Sequence, residues 1–160
     1  YWGAFDDPGG MWGIYIAKNR AEIHEKDPEG QRLLQAFLPS MVGYEARLAN
    51  AFTGTFKMSF DPSLPYTHKS QYLLAVTLTG TGGASISGNA WNNHLRGNGG
   101  NNIIDGGDGD DTAIYCRPRN DYTFERDGDT LVVDGPDGRD TLRSIERLYF
   151  SDGIVNAADL

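Results

Sequence analysis

One cysteine, three histidines and a shortage of positive charge each close off a class of function. A lone Cys116 excludes an internal disulfide framework and is expected to be a small buried thiol. A net charge of −8 leaves no surplus basic surface for neutralising phosphates, so nucleic acid is not an expected partner. The same deficit argues against docking on an anionic membrane. No apolar run approaches the ~18 residues a spanning helix needs, so no membrane span is expected, and no charged-then-apolar leader opens the chain. The chain starts at Tyr1 without an initiator methionine, which predicts a fragment or a processed product. At 39% apolar and 22% charged, 160 residues suffice to bury a core, as one ordinary domain or two small ones sharing it.

Charge is unevenly spread. Residues 1–78 hold 8 acids and 7 bases, whereas residues 79–160 hold 14 acids and 7 bases and no lysine. Excess carboxylate beside dense glycine points to a cation partner, and it places a boundary between a 1–78 portion and a 79–160 module.

Four nine-residue units run without a gap from Thr79: TGTGGASIS (79–87), GNAWNNHLR (88–96), GNGGNNIID (97–105) and GGDGDDTAI (106–114). The eighth position holds Ile86, Leu95, Ile104 and Ala113, always nine apart. A helix does not generate a nine-residue apolar period with a glycine-rich turn in every cycle. A six-residue turn followed by a three-residue strand does, with the eighth side chain pointing inward. Glycine at the turn positions permits close backbone approach, so that carbonyl oxygens converge. The sixth position adds a side-chain oxygen, and an all-oxygen cage of irregular shape suits calcium better than magnesium. The candidate metal residues are therefore the sixth-position Asp111, Asn93 and Asn102, with Gly88, Gly97, Gly99, Gly106, Gly107, Asp108 and Gly109 in the turns. If one circuit takes two units, the turn at 88–93 stacks on 106–111 and that at 79–84 on 97–102. The 106–111 turn is then the strongest site, because Asn102 meets only Ala84.

Residues 79–114 resemble the RTX (haemolysin-type) calcium-binding repeat. Residues 121–153 are similar to the segment that follows these repeats in serralysin-type proteases and related exported proteins. There a pair of strands precedes an Asp-Gly-x-Asp-x-Leu-x-x-Ile-Glu-x-Leu-x-Phe pattern, carried here by Asp137, Gly138, Asp140, Leu142, Ile145, Glu146, Leu148 and Phe150. The resemblance covers about half of the chain. Two sixth positions are Asn and one is Ala, which departs from a full row of carboxylates.

The resemblance implies a mainly β fold: a parallel β-roll with a β-rich C-terminal cap, preceded by a small α+β portion that ends a larger upstream domain. It implies calcium as cofactor, folding on calcium outside the cell, and export of a bacterial protein through type I secretion machinery to the medium or the cell surface. Asp137 and Asp140 are expected in one turn, as turn formers or as a further calcium site. Leu142, Ile145 and Leu148 are expected on one face of a short helix covering the last coil.

The first 78 residues carry less signal. MWGIYIA (11–17) and QYLLAVTL (71–78) read as strands. Asp27-Pro28 starts one helix, running to Phe37, and Ser40 caps a second with Met41, Tyr44, Leu48 and Phe52 on one face. His24-Glu25 opens like a zincin motif, but Pro28 stands where the helix must continue and no second histidine follows, so a solvated loop histidine is expected. His68 reads as a loop residue. No complete catalytic motif is present. Two further readings stay open at this point: the tail of a secreted, metalloprotease-like hydrolase, with catalytic residues upstream and Glu45 contributing, and a self-associating surface or filament subunit rigidified by calcium.

Overall fold

The computed structural model describes residues 2–6, 13–17, 45–48, 52–64 and 67–160, and the chain is mainly β across them. The helix expected over residues 28–37 lies outside these segments.

Three N-terminal strands come first: β1 (Trp2–Asp6), β2 (Gly13–Ala17) and β3 (Glu45–Leu48), joined antiparallel in sequence order. The strand expected at 11–17 is thus β2. The second helix is overturned at its described end, since Glu45–Leu48 is extended and hydrogen-bonded on both sides. Apolar residues three and four apart can seat on a strand as well, and tertiary pairing decides between the two. Helix is limited, among the described residues, to the short α-helix Thr67–Ser70 and two 3-10 turns. No helix among them is long and apolar enough to cross a membrane.

From residue 54 onward the short strands alternate between two sheets. β4 (Gly54–Lys57), β6 (Ala84–Ser87), β8 (Ile103–Asp105) and β12 (Gly138–Arg143) pair in parallel in one. β5 (Ala75–Thr77), β7 (His94–Arg96), β9 (Thr112–Ile114) and β13 (Arg147–Phe150) pair in parallel in the other. Parallel pairing therefore crosses Thr79 in both sheets, through β4 with β6 and β5 with β7.

The register explains the nine-residue apolar period. Phe56, Ile86, Ile104 and Leu142 are aligned across one sheet, and Val76, Leu95, Ala113 and Leu148 across the other. All eight are at most 1% exposed and belong to one core. Successive side chains on a strand point to opposite faces, so one inward residue per three-residue strand suffices.

The stacking does not stop at residue 114. A hairpin of β10 (Thr123–Asp127) and β11 (Thr130–Gly135) intervenes, and the chain then re-enters both sheets through β12 and β13. Leu142 and Leu148 sit on these two strands, not on a helix that covers the last coil. The reason is visible in GPDGRDTLR (135–143), which carries Gly135, Gly138, Asp140 and Leu142 at the first, fourth, sixth and eighth positions of a further unit. Gly138 has φ +103° and Gly109, at the same position of its unit, φ +119°, a region that L side chains rarely adopt. β14 (Gly153–Asn156) closes one sheet antiparallel to β13, and the hairpin closes the other. Tyr115, Tyr122, Phe124 and Phe150 pack together with ring centroids 5.1–5.9 Å apart and fasten the hairpin to the stack.

Leu148 is fully buried and belongs to the strand that re-enters the stack. Leu148→Ala is expected to destabilise the chain by about 2–5 kcal/mol. Ile103→Ala, on an outward side chain 45% exposed, should change stability by less than about 0.5 kcal/mol. Urea unfolding of both variants checks the contrast.

Candidate metal centre in the stacked turns

The six-residue turns form two columns along the edges of the sheets. Turns 88–93 and 106–111 and the segment 144–146 stack in one column, and turns 79–84, 97–102 and 135–140 in the other. The expected 18-residue pairing is seen in the bonds themselves. The backbone N–H of Asn93 donates to Oδ1 of Asp111 at 2.6 Å, and the side-chain amide of Asn102 donates to the carbonyl of Ala84 at 2.6 Å.

One motif recurs: the N–H of a sixth-position residue donates to an acidic side chain of the next turn or segment in its column. Asn93 donates to Asp111, Asn102 to Asp140 at 2.9 Å, and Asp111 to Oε2 of Glu146 at 2.7 Å. Glu146 thus ends the first column and Asp140 the second. Neither Glu146 nor the amide-bearing Asn89 and Asn98 stood out as a site residue from sequence. The signal for the asparagines was the Gly-Asn pair repeated nine residues apart at 88–89 and 97–98.

Asp111 is fully buried. Burial pushes its carboxyl up to about 7; the charges of Glu146, Asp110 and Asp105 add to this, and the Asn93 N–H opposes it. Its Oδ2 has no hydrogen-bond partner, which among the buried side-chain oxygens and nitrogens of the described residues is true only of it and of Oδ1 of Asp110. A Cβ on Gly106 would run into both this Oδ2 and the carbonyl oxygen of Ser144. Two acceptors therefore converge on one spot that only glycine leaves open. Ser144 itself has φ +48°, the one positive φ outside glycine among the described residues. Such a conformation costs about 1 kcal/mol and persists where the surroundings impose it.

The remaining sites of the expected metal set divide. Gly88 and Gly106 line the first column, where a Cβ on Gly88 would strike the Gly106 carbonyl. Gly107 (φ +88°) and Gly109 approach the carbonyls of Asn89 and Trp91. Asp108 is exposed at the turn tip. Gly97 and Gly99 belong to the second column, where the Gly99 N–H donates to the Gly80 carbonyl at 3.1 Å. Asn93 and Asn102 are buried but use their amides as donors to carbonyls.

Asp137 and Asp140 do not share a turn role. Asp140 lies within β12, 1% exposed, and accepts from Asn102 N–H and from the Tyr115 hydroxyl at 3.2 Å. Burial raises its carboxyl to about 7, against the lowering pull of those two donors. Asp137 accepts from the Tyr122 hydroxyl, which links the hairpin to the second column. Burial and Asp140 drive the Tyr115 hydroxyl well above its ordinary range, so it stays a donor. Cys116, expected to be buried, is exposed.

Among the described residues no three His, Cys, Asp or Glu side chains gather closely enough to hold a metal by themselves. The spot at Gly106 is of another kind, one orphaned carboxylate oxygen facing a backbone carbonyl. A buried carboxylate oxygen without a donor accommodates a hard cation or a proton. No family model, curated protein or solved structure matches the chain.

The sign of the pH dependence follows. Asp111 and Asp140 go from 3.8 when unfolded to about 7 when folded, so the folded chain holds extra protons between those values. Without a cation, stability should fall as pH rises from about 4 to about 7 and level off above. Asp61, lowered to about 2, acts in the opposite sense only below this window. Melting curves in EGTA are expected to show a higher Tm at pH 5 than at pH 8, and Asp111→Asn should remove much of the difference.

Proposed function

We propose that this chain is the calcium-binding RTX module of a secreted bacterial protein, a parallel β-roll that folds on calcium binding outside the cell and supports export by type I secretion machinery. The observation that carries this reading is the buried, unpartnered Oδ2 of Asp111 facing the Ser144 carbonyl within a stack of 18-residue period. Asp111 and the Ser144 carbonyl would hold the ion, and Asp105, Asp110 and Glu146 supply further negative charge around it. Calcium tolerates such an irregular oxygen set, whereas magnesium demands near-octahedral geometry and gives up its water reluctantly.

The folding switch follows from electrostatics. Without a cation the 106–111 turn buries an ionised carboxylate among like charges, which opposes compaction. Binding then contributes directly to folding free energy. Low cytosolic calcium leaves the module loose for passage through a channel, and external calcium closes it on emergence. The affinity expected for so sparse a carboxylate set lies at about 10⁻⁴–10⁻³ M, the range of extracellular modules.

Thermal melts should show a marked loss of Tm on adding EGTA, a full return with millimolar calcium and none with magnesium. Asp111→Ala should abolish the calcium response, whereas Asn102→Ala should lower the Tm equally with and without calcium. An identical melting curve in calcium and in EGTA for the unmodified chain would sink the reading.

A further inference from the structure

We propose that the side-chain amides of Asn89, Asn93, Asn98 and Asn102 stand in for the cation in the N-terminal turns, which confines cation dependence to the C-terminal turn at 106–111. The inference rests on the calcium reading of Asp111 and determines which turns of the stack take an ion.

All four asparagines are buried, at 0–7% exposure. The Asn98 amide donates to the carbonyls of Thr79 at 3.1 Å and Gly82 at 2.9 Å, and the Asn89 amide to those of Gln71 at 3.2 Å and Leu73 at 2.9 Å. Asn93 adds a bond to Leu73 at 3.2 Å, and Asn102 one to Ala84. Each amide thus answers carbonyl oxygens of the preceding turn in its column, the task an ion performs between stacked turns. The acceptor ends are closed as well. Asn93 Oδ1 takes the N–H of Asn89, Asn102 Oδ1 that of Asn98, Asn89 Oδ1 that of Trp91, and Asn98 Oδ1 that of Gly100.

The last two turns lack this chemistry. Their second positions are Gly107 and Pro136, without a side-chain donor, and their sixth positions are Asp111 and Asp140. Asp140 fills both oxygens, with the Asn102 N–H and the Tyr115 hydroxyl. In Asp111 the Asn93 N–H takes one oxygen, while the Gly107 N–H that would serve the other bonds Asp105 at 3.2 Å. The unmet demand therefore falls at one sixth position. An asparagine there would set an amide donor against the Ser144 carbonyl, as Asn93 and Asn102 set theirs against carbonyls of the neighbouring turn.

The test uses the whole chain and three variants, Asp111→Asn, Asn93→Asp and Asn102→Asp, each melted in EGTA and in calcium, with calcium stoichiometry by calorimetry. Asp111→Asn should lose the calcium response and melt in EGTA roughly 2–8 °C above the unmodified chain. Asn93→Asp and Asn102→Asp should melt lower in EGTA, recover with calcium and bind one additional ion each. If Asp111→Asn loses calcium without gaining stability in EGTA, the amide does not replace the ion, while the calcium reading stands. If the aspartates at 93 and 102 cost stability that calcium does not restore, the inference is likewise overturned. An unmodified chain indifferent to calcium removes the calcium reading and this inference with it.

Discussion

Everything in the stack depends on how one turn answers the carbonyl oxygens of the next. Six residues of tight turn expose several backbone acceptors to a neighbouring turn, and a buried acceptor without a donor carries a desolvation penalty of about 1–3 kcal/mol. The strands between the turns are only three or four residues long and contribute few ladder bonds of their own. Turn-to-turn contacts therefore decide whether the parallel register holds.

The chain meets this requirement with several donors. Backbone N–H groups at sixth positions bond the next acidic residue, asparagine amides reach back to the preceding turn, and a tyrosine hydroxyl closes Asp140. Asp111 is where the protein's own donors run out. The most acidic turn thus sits immediately before the hairpin and the re-entering strands β12 and β13, so a cation bound there would join the repeat to everything that follows it. The tail continues the stack and terminates it. β14 and the β10–β11 hairpin supply antiparallel final strands, and Arg139 bridges Asp134 and Glu125 on the hairpin surface. Charged side chains on an outer strand discourage pairing with another chain.

Periodicity was legible because it is local. The eighth-position residues Ile86, Leu95, Ile104 and Ala113 announce a buried stripe from spacing alone, and the glycines between them announce turns. The pair of strands expected ahead of the Asp137–Phe150 pattern came from the resemblance rather than from spacing, and it corresponds to the β10–β11 hairpin. GPDGRDTLR was readable in principle, yet the hairpin separates it from the other units and its pairing with β8 lies 38 residues away in sequence. The helix expected past Ser40 failed for a related reason. Its apolar spacing suits either state, and β2 and β5 on either side made Glu45–Leu48 a strand.

By itself the sequence determined composition, the acidic bias of residues 79–160, the nine-residue unit and the residue types at each position, since these need no knowledge of what lies beside what. Only the tertiary structure decided how those residue types are used. Asn93 and Asp111 occupy the same place in their units, yet one is closed by donors and the other is left with a bare oxygen. Asp137 and Asp140, three apart in the chain, bond different tyrosines. Whether a buried oxygen finds a donor depends on the turn stacked against it, and that neighbour is set by the register of strands 18 to 38 residues apart.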